Sequence, residues 1–278
     1  MSDELLVLAE LYAVVKKSRE EREMVERRLR GQGAPLKKFW IDDYETKAGK
    51  YWNDFYKRNQ RNFFKDRHYL DVEFASAFSK RISHLVELGC GVGNAALPLL
   101  KHADFMTCLD FSKEAIDLLK TRPDFDAEKC EARVCDLVND DVGFLQNSAD
   151  VVTCFFVLSA LSPETQPIVA KKIATMLTGK SCVLVRDYGR YDEAQLRFKK
   201  NQKLAEHFYV KADGTRCFYF DTHDLDNLFR PLGFKGHATF LHQTHTNRAT
   251  RHQRSRVFIQ ATYYYPSSLH PASDERKK

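Results

Sequence analysis

From His84 onward the chain alternates short apolar runs with amphipathic stretches, and the first run ends in the glycine-spaced turn VELGCGVGN. That alternation is what a parallel sheet with crossover helices requires, because each parallel connection must travel back along the sheet. The strand candidates are HLVEL, DFMTCLD, EARVCDL, ADVVTCFFVLS and SCVLVRDY. Helices are expected at Ala95–Lys101, Lys113–Lys120 and Glu164–Leu177. After a short helix in HDLDNLFRPLG, the alternating runs FKGHATFLHQTH and RVFIQATYYYP read as an antiparallel pair. The expected fold class is α/β, a parallel sheet finished by an antiparallel terminal hairpin.

Ahead of the sheet the pattern is helical. Glu4 to Arg30 places Leu5, Leu8, Tyr12 and Val15 at helical spacing, followed by the charge-rich KKSREEREMVERRLR. RGQGAP, from Arg30 to Pro35, breaks that helix with two glycines and a proline and reads as a hinge. A second helical region from Asp42 to about Lys57 carries YWNDFY into RNQRNFFKDRHYL, a basic stretch enclosing Phe63 and Phe64. The expected organisation is an N-terminal helical arm and hinge over 1–35, a helical lid over 36–80, the α/β domain over 81–265 and a polar tail over 266–278.

With 43% hydrophobic and 12% aromatic residues in 278, the chain can fill a sizeable core. A net charge of +6 permits an anionic partner without requiring one. Seven cysteines form an odd set with no C-x-x-C pair, and most sit in apolar runs. A reducing compartment is expected, cytoplasmic with the nucleus as a second location, and no zinc or other metal site. His242 and His245 lack a convincing set of partner ligands. Asp3, Glu4 and Glu10 argue against a targeting leader. No apolar stretch reaches transmembrane length, so no membrane partner is expected.

Gly89, Gly91 and Gly93 follow the first strand, where missing side chains let backbone approach a nucleotide. The spacing matches G-x-G-x-x-G only loosely, because Ala96 holds the third glycine position counted from Gly91. About twenty residues on, the second strand ends in Asp110, whose carboxylate can accept from both ribose hydroxyls. A nicotinamide dinucleotide would fit that much, and Asp110 could also simply cap the next helix. The third run ends in CDL, so Asp136 offers an acceptor for an adenine amine and Leu137 a surface for its ring. Glycine loop, ribose acid and adenine acid in series resemble the S-adenosylmethionine site of class I methyltransferases, whose Rossmann-like fold closes with a reversed hairpin.

The fourth strand ends CFFVLSAL and not in a D-P-P-Y type motif, which disfavours methylation of adenine's exocyclic amine. In order, KYWNDFYKRN, NFFKDRH, VELGCGVGN, DFS, CDL, FVLSA, RDYGRYDEAQLRFKK and FYVKADGTRCFYF are similar to the eukaryotic tRNA 3-methylcytidine methyltransferases of the methyltransferase-like group. Those enzymes modify cytidine 32 of the anticodon loop. The match runs from Tyr44 to Tyr265. The resemblance implies that Trp52, Tyr56, Gly89, Asp110, Asp136, Leu137 and Phe155 line the cofactor site, with Gly91 and Gly93 in its glycine loop. Phe155 departs from the usual aliphatic residue there. The implied partners are a tRNA anticodon loop and an aminoacyl-tRNA synthetase or accessory tRNA-binding protein.

N3 of neutral cytosine keeps a lone pair, so methylation asks for alignment and desolvation more than for proton abstraction. Positive charge then develops on the base, and a carboxylate accepting from N4 would strengthen in the transition state. Asp187 is nominated for that role; the plainer reading is a strand-end carboxylate paired with Arg186. Phe63 or Phe64 could stack the extruded base at ~1–3 kcal/mol, while Arg67 meets its carbonyl or a phosphate. Equally, the two phenylalanines could pin a helix to the sheet. Arg186, Arg197 in RFKK and the run from Asn247 to Arg256 are candidate RNA contacts. The alternatives are a methyltransferase acting on a protein or small molecule, and a noncatalytic RNA-binding scaffold with this fold.

Overall fold

The structure, a computed structural model, describes residues 19–246 and 253–266. The chain opens with helices α1 (Arg19–Gly31), α2 (Lys38–Thr46), α3 (Ala48–Asn59), α4 (Leu70–Glu73) and α5 (Ala75–Phe78). Then come β1 (Ile82–Leu88), α6 (Ala96–Leu99), β2 (Ala103–Asp110), α7 (Lys113–Lys120), β3 (Cys130–Val134), β4 (Ala149–Phe155), α8 (Gln166–Met176) and β5 (Leu177–Tyr188). Three short strands follow, β6 (Lys203–Ala205), β7 (Phe208–Val210) and β8 (Arg216–Phe218), before α9 (Thr222–Phe229), β9 (Ala238–Thr246) and β10 (Gln253–Tyr265).

The main sheet has seven strands in the order β3-β2-β1-β4-β5-β10-β9. Strands β1 to β5 pair in parallel, and β10 runs against both β5 and β9. Only β10 is therefore reversed, so the terminal pair is antiparallel within itself while β9 points with the parallel strands. The register sets Leu88 beside Leu109 and Cys154, and Asp110 beside Val134. Carboxyl ends of the central strands thus form one rim.

Two buried layers flank the sheet, as period-two alternation demands of a sheet covered on both faces. One holds Val86, Leu88, Val152, Val183 and Val185 against Val169 and Ile173 of α8 and Leu225 of α9. The other holds Leu85, Met106, Cys108, Val151 and Leu184 against Leu97 and Leu99 of α6 and Ile116 and Leu119 of α7. Phe155 belongs to this second layer, tilted against Phe74 at 5.5 Å between ring centroids.

Several boundaries differ from the sequence reading, each for a local reason. The third strand stops at Val134, because Asp136 turns its carboxylate onto the Val138 amide, 2.9 Å away, and closes a turn. The fourth stops at Phe155, since Phe156 takes a positive φ of 62° that a strand cannot continue through. The Ala95–Lys101 helix shrinks to α6 plus a 3₁₀ turn, Leu100–His102. The 42–57 helix is two helices meeting at Lys47. The antiparallel sheet β6-β7-β8 was not expected at all.

Residues 1–18, the tail beyond 266, and 247–252 of the basic run lie outside the described residues. Within the link read as a hinge, Gln32 is buried, donating to the Gln195 carbonyl at 2.7 Å and accepting from the Tyr209 hydroxyl at 2.8 Å.

Candidate active site

A cavity of about 710 Å³ opens over the carboxyl rim of β1, β2 and β4, roofed by α3 and bounded on its far side by the β6–β8 insertion. Its position follows the general rule for open α/β sheets. The size falls in the range of small-molecule pockets.

At one end the glycine loop forms the floor. Gly91 has φ of 54°, and a Cβ there would lie 2.4 Å from the Tyr56 hydroxyl oxygen. The bare backbone is therefore what lets Tyr56 pack down. Tyr56 and Trp52, one helical turn apart on α3, stack at 6.0 Å and both line the cavity. The helix is tied in place by Asn53, whose Oδ1 accepts from the Ser112 hydroxyl at 2.8 Å and the Glu114 amide at 3.2 Å. Gly89 also lines the cavity, whereas Gly93 does not: it turns toward Leu119 and Leu97.

Asp110 is not the helix cap. Ser112 caps α7 by accepting from the Ala115 amide. Each Asp110 oxygen instead takes one backbone amide, Oδ2 from Gly91 at 2.8 Å and Oδ1 from Ser112 at 2.9 Å. A carboxylate has about four acceptor sites, so one on each oxygen is left for a pair of hydroxyls. Burial pushes Asp110 up to about 6, held down by those two amides. Asp136 sits past β3, with Oδ1 receiving the Val138 and Asn139 amides and Oδ2 the Asn139 side chain at 2.8 Å. One further acceptor site remains, and Leu137 lines the cavity beside it.

The other end is aromatic and basic. Phe64, Arg67, Phe156, Tyr188 and Lys211 meet there. The Arg67 guanidinium lies 4.3 Å over the Phe156 ring, and Phe156 packs on Tyr188 at 5.1 Å. Phe156 holds its left-handed backbone because its amide donates to the Arg186 carbonyl at 2.8 Å. Glu87, at the end of β1, reaches the same cavity while 2% exposed. Burial pushes its carboxyl up to about 8, against the opposing charge of Arg67 and a long hydrogen bond from the Thr153 hydroxyl.

The structure brings Trp52, Tyr56, Gly89, Gly91, Asp110, Asp136, Leu137, Phe155, Phe64 and Arg67 to one cavity. It leaves five nominated residues outside the lining. Gly93 was described above. Phe63 is 58% exposed, edge-on to Phe55 and Phe64, whereas Phe64 is half-buried and packs against the Phe55 and Tyr56 cluster, so it helps pin α3. Arg186 points into the protein, ion-paired with Glu73, hydrogen-bonded to Gln260 and sandwiched near Tyr69 and Phe258. Arg197 is half-exposed and paired with Glu193.

Asp187 is fully buried, with Oδ2 accepting from the Ser159 amide and Oδ1 from the Tyr188 amide, each at 2.9 Å. Its carboxylate holds the turn that presents Ser159 and Ala160 to the cavity, instead of facing the cavity itself. It is not paired with Arg186. Arg256, the described end of the basic run, also turns inward, to Asp192 at 2.8 Å.

Glu87, Asn94, Phe156, Tyr188 and Lys211 are among the lining residues that sequence reasoning passed over. Glu87 carried a signal, a lone ionisable residue near the end of an apolar run. Phe156 carried none, since only the backbone turn decides which of two adjacent phenylalanines faces the pocket.

A family model described as a methyltransferase domain matches residues 43–239. A solved S-adenosylmethionine-dependent methyltransferase from Anabaena variabilis superposes with a TM-score of 0.59 over 78% of this chain and 94% of its own, at 14% identity. A Burkholderia thailandensis 1,6-didemethyltoxoflavin-N1-methyltransferase with bound S-adenosylhomocysteine gives 0.56, at 13% identity, over 84% and 92%. These share the fold. Closer in sequence is the tRNA N(3)-cytidine methyltransferase METTL6 of Homo sapiens, 38% identical over 87% of this chain and 88% of its own. METTL2 of Xenopus tropicalis, with the same activity in its name, is 35% identical over 84% and 82%. This chain, with its class I methyltransferase sheet, belongs to the tRNA N(3)-cytidine methyltransferase family.

Proposed function

We propose that this protein transfers a methyl group from S-adenosyl-L-methionine to N3 of cytidine 32 in the anticodon loop of a subset of tRNAs. The observation that carries this is one cavity with two chemically distinct ends, in a chain 38% identical to a tRNA N(3)-cytidine methyltransferase over most of both lengths.

The residues present fit the cofactor. Asp110 keeps one open acceptor site on each oxygen for the ribose hydroxyls, Asp136 keeps one for the adenine amine, and Leu137 supplies an apolar face. Trp52 and Tyr56 close the site from above, and Gly91 lets them approach. Bound there, the cofactor supplies an electrophilic methyl on a sulfonium.

The chain's own work is alignment. Phe64, Phe156 and Tyr188 offer aromatic faces to an extruded base, and Arg67 a donor fork to its carbonyl or phosphate. Roofing by α3 excludes water, so N3 presents its lone pair without a hydration shell to displace. No general base is needed. Asp187 then acts at one remove, by fixing the Ser159 turn.

A synthetase or accessory tRNA-binding protein is a candidate partner for holding the rest of the tRNA. A cytoplasmic or nuclear site of action suits seven cysteines that are all free.

Incubation with labelled methyl donor and total tRNA, or separately with protein extract, followed by digestion, tests the reading. We expect 3-methylcytidine from tRNA. Label in protein and none in tRNA overturns it.

A further inference from the structure

Phe64 and Arg67 reach the cavity, but Asp66, beside Arg67 in the same loop, does not. Asp66 turns away from it, onto Arg122 in the turn after α7. The two make a fork-to-fork pair, Nη1 to Oδ1 and Nη2 to Oδ2, both 2.9 Å. Arg122 is held in turn by Asp124 at 2.9 and 2.7 Å, and its side chain is 10% exposed. Its Nη1 also lies 3.5 Å from the Val92 carbonyl of the glycine loop.

Asn94 completes the connection. Its side-chain amide donates to Asp66 Oδ1 at 2.9 Å and to the Phe64 carbonyl at 3.2 Å. Its own carbonyl accepts from the Arg67 amide at 2.7 Å. That carbonyl is available because the residue four places on is Pro98, which has no N–H to give it. Residues 92–94 of the glycine loop are thus stitched to residues 64–67 of the acceptor wall. The Arg122 fork, with the Asn94 side chain, draws the Asp66 carboxyl below its ordinary value against the cost of partial burial.

We propose that Asp66 and Arg122 are positioning residues that lock the acceptor loop to the glycine loop, so that filling the cofactor end sets Phe64 and Arg67 for the base. This rests on the methyl-transfer reading above and extends it to order and coupling. Neither residue lines the cavity, so each acts through its neighbours. Because the two loops share hydrogen bonds, whatever rigidifies one lowers the cost of ordering the other, and the coupling is reciprocal. Arg is needed and not merely a cation, since only the planar fork meets both Asp66 oxygens while keeping Asp124.

The test uses the full chain and S-adenosylhomocysteine as probe, read by hydrogen exchange of peptides covering 86–95 and 60–70. In the wild type the probe should slow exchange in both. In Asp66→Asn and Arg122→Lys, 86–95 should keep its protection while that of 60–70 falls by about threefold or more. Probe affinity should stay within about twofold of wild type, and methylation turnover should drop about tenfold with the cofactor KM unchanged.

Equal protection of 60–70 in wild type and both variants overturns the proposal. So does loss of probe binding in both, which would mark a purely structural pair. Absence of 3-methylcytidine with the wild type would sink the substrate reading and leave the exchange result standing.

Discussion

At the scale of single residues, the cavity is built around carboxyl groups kept in different states by their surroundings. Glu87 is fully buried, and that burial outweighs Arg67, the Thr153 hydroxyl and the Ala96 amide to raise its carboxyl to about 8 from an ordinary 4.5. The folded state therefore holds a proton that the unfolded chain gives up near pH 4.5. Stability from this group is full below that pH and is lost as pH rises through about 8, at ~1.4 kcal/mol for each unit of displacement. Glu87→Gln removes the titration while keeping the shape. Thermal melts should show the variant gaining on wild type from pH 5.5 to 8; a difference that stays flat across that range would contradict it. Asp187, raised to about 6, shifts both proteins alike, and Asp110, also raised to about 6, meets a Glu87 charge only as that group ionises near pH 8. At this scale the glycine-loop end of the cavity was legible as a place, because bare glycines and strand-end acids declare themselves in sequence. Arg186 and Asp187 were misplaced because one is taken by Glu73 and Gln260 and the other by the Ser159 amide, partners distant in sequence that no local pattern shows.

The elements show a similar division. The five parallel strands were readable as apolar runs because a doubly covered sheet leaves them no polar face. Strands β6 to β8, three residues each, are too short for alternation to register. The short helix α4 is held by buried Leu70, by Asp71 to Lys101 and His102, and by an ion pair at its end. Arg186 on β5, 1% exposed, pairs with Glu73 at the end of α4 and takes Gln260 of β10 as its second partner at 3.0 Å. Burial lowers the Arg186 pKa, a sign that the charge is poorly solvated without its partner. Glu73→Ala leaves that guanidinium stranded and should cost about 3 kcal/mol. The double change Glu73→Leu with Arg186→Met should recover most of the loss, since an apolar pair of similar size needs no counter-charge. Urea unfolding of the three proteins checks this: a double variant as weak as the single one would show the pair to be irreplaceable.

Across the whole molecule, segments far apart in sequence meet around the cavity mouth. Glu45 of α2 pairs with Arg216 of β8, and both line the cavity. The Leu36 amide donates to the Lys203 carbonyl at 2.8 Å. Gln32 bridges the Gln195 carbonyl and the Tyr209 hydroxyl, whose ring stacks on Phe198 at 4.5 Å. The N-terminal helices and the insertion after β5 are therefore one wall, closed by polar contacts that no local pattern in the sequence could announce. Gln32 is the contact with least slack, being 3% exposed and satisfied at both ends of its amide. Gln32→Ala removes one of two donors to the Gln195 carbonyl, which keeps the Phe198 amide at 3.3 Å, and takes from the buried Tyr209 hydroxyl its Gln32 acceptor, at about 1 kcal/mol. For a chain of this size that is a fall in thermal midpoint of roughly 2 °C or more. The wall also borders the acceptor end, so hydrogen exchange should quicken in peptides spanning 195–218 before it does in the glycine loop. If the midpoint drops and exchange rises evenly along the chain, Gln32 supports the fold at large and not this wall.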